Sequence, residues 1–91
     1  MNIYVVSYDL KSDQDPDYEG VGAALEQCGL VNRFQKSVFL VASIIGSASA
    51  IRDVVAPSLN DGDTLFIVKL EDSWAGWNTR LSAWIKEMRL K

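Results

Sequence analysis

The chain has no histidine and a single cysteine, Cys28. Without histidine it lacks the commonest general base, the usual zinc ligand and the proton carrier of a serine triad. One cysteine excludes an intramolecular disulfide. Long apolar runs are missing too. The longest, Val38 to Ile45, has 8 residues and contains Ser43, against the roughly 20 that a membrane-spanning helix needs. The opening "MNIYVV" has no basic region and soon meets Asp9. No signal peptide is expected, and the chain reads as cytoplasmic with no membrane partner. Positive charge is scarce, with 9 Lys and Arg against 12 Asp and Glu for a net charge of −3. That balance weighs against strong nonspecific binding to nucleic acid, which usually needs a basic face. Any catalysis must rest on carboxylates, hydroxyls, Lys or Arg, which favours a hard metal ion held by Asp.

What remains is an ordinary folding composition. The 91 residues are 48% hydrophobic, enough for one small domain over 1–91 with a two-layer core. Residues 2–9 are rich in Ile, Tyr and Val on both faces, as in a central strand. "DPDYEG" resembles a helix start, with Asp15 as N-cap, Pro16 in the first helical position and acids in the first turn. Tyr18, Val21, Leu25 and Cys28 follow at helical spacing, and Gly29 fits a left-handed helix end. Gly20 and Gly22 suit close packing on a sheet. Residues 31–45 read as two short strands, or one bent strand, broken near Lys36 and Ser37. Ser47 or Ser49 caps a second helix with the stripe Ile51, Val54 and Val55, which Pro57 stops. "NDGD" at 60–63 is a turn, and "TLFIVKL" a strong final strand. The spacing predicts a third helix over 78–89, striped by Leu81, Trp84, Ile85 and Met88, with Asn78 or Thr79 as cap. The order β-α-β-β-α-β plus a helix predicts an α+β, ferredoxin-like fold. Its four-stranded antiparallel sheet carries two helices on one face. The core spans 2–70 and a C-terminal extension spans 71–91.

Carboxylates crowd the segment after the first strand: Asp9, Asp13, Asp15, Asp17 and Glu19, with Lys11 among them. The D-x-D-x-D spacing looks like a calcium loop. Tyr18 stands where such a loop needs Gly, though, and Ala24 where it needs Glu. The four later acids read better as a solvated turn and helix-start charges favoured by the helix dipole. Asp9 ends a strand and starts a turn, a plain role that Asp often fills and that the local sequence alone favours.

Two stretches carry a family resemblance. "YVVSYDL" is a first strand ending in Tyr-Asp. In "ALEQCGLVNRFQKSVFLV", a helix ending in Cys28-Gly29 precedes Arg33, Gln35, Ser37, Val38 and Phe39. Together they resemble the small ferredoxin-fold subunit of CRISPR adaptation, here termed Cas-two-like. VapD-type toxin ribonucleases and SinR-family Cas-like proteins share that fold, and "IRDVVAPSLNDGDTLFIVKLEDSWAGW" looks more like the latter. The resemblance implies a homodimer. It also implies that Asp9, as catalytic residue and metal ligand, lies near the dimer axis. Two symmetry-related carboxylates would hold Mg²⁺, or Mn²⁺ in its place, for phosphodiester hydrolysis of RNA or DNA. The sequence departs from the family in its first helix, which has no basic residue, and in Leu40, where Glu is common. A Trp-rich helix also replaces the usual C-terminal strand. These departures weigh first against nucleic-acid binding and next against nuclease activity.

Other residues carry weaker expectations. Tyr8, Arg33, Gln35 and Ser37 are candidate contacts to a nucleic-acid backbone or phosphate. Each has a plainer role as a core aromatic, an exposed strand residue or a turn residue. Ser7 and Ser37 lack a base to activate them. Trp84 reads as core, whereas Trp74 and Trp77 read as a lid or as interface anchors. Cys28 reads as a small buried hydrophobe. Two functions follow. The first is a dimeric metal-dependent endonuclease. The alternative is a non-catalytic dimeric interaction module, with a protein partner in a CRISPR, toxin–antitoxin or mobile-element defence system.

Overall fold

Asn2–Asp9 forms strand β1, whose even residues Tyr4, Val6 and Tyr8 are all buried. The computed structural model describes residues 1–11 and 18–91. The expectations for Asp13, Asp15, Pro16 and Asp17 lie outside the described residues. Helix α1 is Tyr18–Glu26, β2 is Leu30–Gln35, β3 is Val38–Ser43 and α2 is Ala48–Val55. A 3₁₀ turn over Ala56–Ser58, with Pro57 inside it, ends α2. Strand β4 is Thr64–Lys69 and helix α3 is Leu81–Arg89. The strands form one antiparallel sheet in the order β2-β3-β1-β4. This is the expected α+β, ferredoxin-like arrangement, with β1 central and β2 and β4 at the edges.

The pleat of β1 divides two cores, because successive side chains point to opposite faces. Tyr4, Val6 and Tyr8 join Val21 and Leu25 of α1, Ile51 and Val55 of α2, and Phe39 and Val41 of β3. On the other face Ile3 packs with Leu40, Ala42, Ile85 and Met88, with Trp74, Leu81 and Trp84 partly buried around them. The stripe foreseen on the last helix is therefore real, and α3 covers part of the sheet face opposite α1 and α2. No helix among the described residues is long and apolar enough to cross a membrane.

Local chemistry accounts for the ends of these elements. The Ser47 hydroxyl accepts from the Ala50 amide at 3.2 Å and caps α2. At the end of α1, the buried Ser43 hydroxyl donates to the Cys28 carbonyl at 2.6 Å and accepts from the Ile45 amide at 3.0 Å. Gly29 differs from expectation, because only Gly62 among the described glycines has a left-handed φ, at 87°. A Cβ on Gly29 would lie 1.9 Å from the Ala42 carbonyl oxygen, so glycine is needed there for room. Helix α3 begins at Leu81, three residues later than the spacing predicts. Asn78 is left-handed at φ 53°, a conformation no helix residue adopts. Thr79 does act near this end, since its hydroxyl accepts from the Leu81 amide at 3.2 Å.

Candidate functional site

Asp9 is the last residue of β1, opposite Thr64 of β4. Its parity is that of Ile3, Val5 and Ser7, so its carboxylate belongs to the face opposite α1 and α2. The side chain is 63% exposed, and Oδ2 accepts from the Lys11 ammonium at 2.9 Å. That hydrogen bond, and then the charge of Asp9, push the Lys11 ammonium above its ordinary range. Both groups face water, so the pair contributes little to stability.

A second acid shapes the same end of the sheet. Asp63 closes the expected 60–63 turn, where Gly62 supplies the left-handed residue. Asp63 Oδ1 accepts from the Lys11 amide at 2.8 Å, and Oδ2 from the Asn60 amide at 2.7 Å. These amides, Asn60 first, hold its carboxyl below the usual aspartate range. Asp63 thus ties the 60–63 turn to the residues that follow β1. The sequence marks it only as a turn residue, and nothing local reveals its partner across 52 positions.

The weaker candidates gather on the other side of the strand. Tyr8 is only 4% exposed, and its ring stacks on Phe39 with centroids 5.8 Å apart. Its hydroxyl donates to the Lys36 carbonyl at 3.0 Å, and its amide to the Ser37 carbonyl at 3.1 Å. The Arg33 guanidinium donates to the same Lys36 carbonyl at 3.1 Å and lies 5.5 Å from the Phe39 ring centroid. Gln35 is exposed and pairs with Val38, past a bulge between Arg33 and Gln35. Tyr8, Arg33 and the Lys36–Ser37 turn therefore form one cluster. Asp9, one residue from Tyr8, points to the opposite face.

A divalent ion asks for oxygen donors, and Mg²⁺ is met by one or two carboxylates while keeping several waters. Among the described residues no group of three or more acidic, Cys or His side chains converges on a possible metal position. Asp63 has both oxygens engaged by amides. Asp9 is exposed and already paired with Lys11. Mg²⁺ held at this end would draw on Asp9, and on a second Asp9 where two copies met there, and it would supply polarisation of a phosphodiester and its attacking water.

The remaining feature of this face is apolar. A cleft of about 370 Å³ lies between the sheet and the 74–82 segment, lined by Val5, Val38, Leu40, Trp74, Leu81 and Ile85. Trp74 is half-buried, and its indole donates to the Ser82 hydroxyl at 3.3 Å. Trp77, at the rim, is 92% exposed. Phe66 and Val68 of β4 are 70% and 47% exposed, opposite Ser7 and Val5. The sequence marks "TLFIVKL" only as a strong strand and does not single out these two as surface residues. No family model, no curated protein and no solved structure matches the chain.

Proposed function

We propose that the protein acts as a homodimeric interaction module on a Cas-two-like scaffold. One observation carries this reading. Phe66 and Val68 stand exposed side by side on the sheet face, next to the open edge of β4. Large apolar side chains gathered on a surface mark a contact site. The acidic balance and the acids on α1, Glu19 and Glu26, favour a protein partner over a nucleic-acid backbone. A defence setting, whether CRISPR, toxin–antitoxin or mobile element, follows from the family resemblance.

The second reading is the metal-dependent endonuclease. The exposure of Asp9 at the end of the central strand favours it. Two copies meeting near Asp9 would supply the paired carboxylates, with Tyr8, Arg33, Gln35 and Ser37 as its nucleic-acid contacts. Purified protein incubated with labelled RNA and DNA, with and without Mg²⁺ or Mn²⁺, separates the two. The module reading expects no cleavage and a dimer by light scattering. Metal-dependent cleavage that disappears in Asp9→Ala would replace it with the catalytic reading.

A further inference from the structure

We propose that the partner at this surface is a second copy of the chain, docked edge to edge so that two β4 strands pair antiparallel across a two-fold axis at Phe66. The proposal rests on the dimer reading above and specifies its surface.

The two edges of the sheet differ. Natural edge strands are protected by bulges, charges or proline. β2 has such protection, with a bulge between Arg33 and Gln35 and the polar residues Asn32, Arg33 and Gln35. β4 has none. Its register with β1 runs unbroken from Thr64 to Lys69, and its only charge is the terminal Lys69. No other described strand lies on its outer side.

Hydrogen-bond parity fixes which groups remain free. The Leu70 amide donates to the Ile3 carbonyl at 2.8 Å. In an antiparallel ladder bonded pairs alternate, so Val68, Phe66 and Thr64 turn their amides and carbonyls toward β1. Leu65, Ile67 and Lys69 turn theirs outward.

A second β4 meets these groups in one register that is also matched in charge. With Phe66 opposite the partner's Phe66, Leu65 bonds the partner's Ile67, and symmetry repeats the pair. Both copies keep α1 and α2 on one side of the joined sheet and α3 on the other. Val68 falls opposite the partner's Thr64. Lys69 falls opposite the partner's Asp63, again twice. Opposite charges and aromatic pairs directly across strands are both favourable. Asp63 is already held in place by two amides. The exposed Phe66 and Val68 become cross-strand neighbours at the centre of an eight-stranded sheet.

This arrangement bears on the catalytic reading. Asp9 lies one strand inside β4, opposite Thr64. Three strand spacings and the offset from the axis separate the two Asp9 residues by about 20 Å. They do not share a metal ion in this dimer.

Sedimentation of the full chain, with disulfide trapping of Phe66→Cys, tests the pairing. Directly opposed, non-bonded strand positions bring Cβ atoms within disulfide reach, while Cys28 is buried. We expect a wild-type dimer, covalent dimer from Phe66→Cys under mild oxidation, and roughly tenfold weaker association in Lys69→Glu at low salt. Circular dichroism checks that both variants fold, as their exposed positions lead us to expect. A wild-type dimer that Phe66→Cys fails to trap, and that Lys69→Glu leaves unchanged, overturns the edge pairing and keeps the dimer. A wild-type monomer overturns both. A monomer whose β4 instead takes a strand from another protein does the same.

Discussion

Gly29 shows how a single residue can be constrained by something far away in sequence. The Ala42 carbonyl occupies the space a side chain would need, at 1.9 Å from an ideal Cβ. We expect Gly29→Ala to destabilise the fold by roughly 1–3 kcal/mol, as overpacked sites do, measured by urea denaturation. A variant as stable as the wild type would show that the close approach relaxes freely. The sequence marks Gly29 correctly as a helix terminus, but the reason lies thirteen residues on, in β3. Gly22 is milder, since a Cβ there would touch the Phe39 ring at 3.4 Å, an ordinary contact. Cys28 was legible as a buried hydrophobe. Burial also pushes its thiol upward in pKa, which keeps it unreactive. Asp9 was legible as an exposed strand end. Its pairing with Lys11 was only half so, because Lys11 is the one cation near the acids but nothing local chooses its partner.

Among the elements, α3 was the most legible and its anchoring the least. The i, i+3, i+4, i+7 stripe named Leu81, Trp84, Ile85 and Met88, and these residues pack on the sheet. Arg89, one of two basic residues in the last turn, does more than face solvent. Its guanidinium donates to the Leu70 carbonyl at 2.8 Å and the Glu71 carbonyl at 2.7 Å, and lies 5.0 Å from the Trp74 ring centroid. It fastens the chain leaving β4 to the end of α3. A flat, forked donor does this and a point charge does not. We expect Arg89→Lys and Arg89→Ala both to lose about 1–3 kcal/mol, with altered Trp74 fluorescence. Full stability in Arg89→Lys would reduce Arg89 to a mere positive charge. No periodicity announces such a contact, because it depends on where the 71–80 segment turns.

At the scale of the whole molecule, stability follows pH partly through Asp63. Folding lowers the Asp63 pKa, so the fold favours its ionised form. That contribution is fully present above the ordinary aspartate range. It is lost as pH falls through the depressed value. We expect Asp63→Asn to lower stability near neutrality and to flatten the acid limb of the stability–pH curve, read by denaturant midpoints across pH. An unchanged acid limb would mean the Asn60 and Lys11 amides hold the unionised side chain as well. Element order and sheet topology were legible because apolar periodicity and turn residues agree along the whole chain. The exposed face of β4 was not, since strand composition alone does not say which face stays bare. The pleat of β1 carries a last consequence. Tyr8 belongs to one core and Asp9 to the opposite surface, so the strand behaves like a reading frame. One residue inserted or deleted within it would exchange the contents of the two cores, bury the carboxylate against Phe39 and turn the tyrosine out to water. A two-residue change keeps the frame. The length of this strand is therefore free to drift only in even steps.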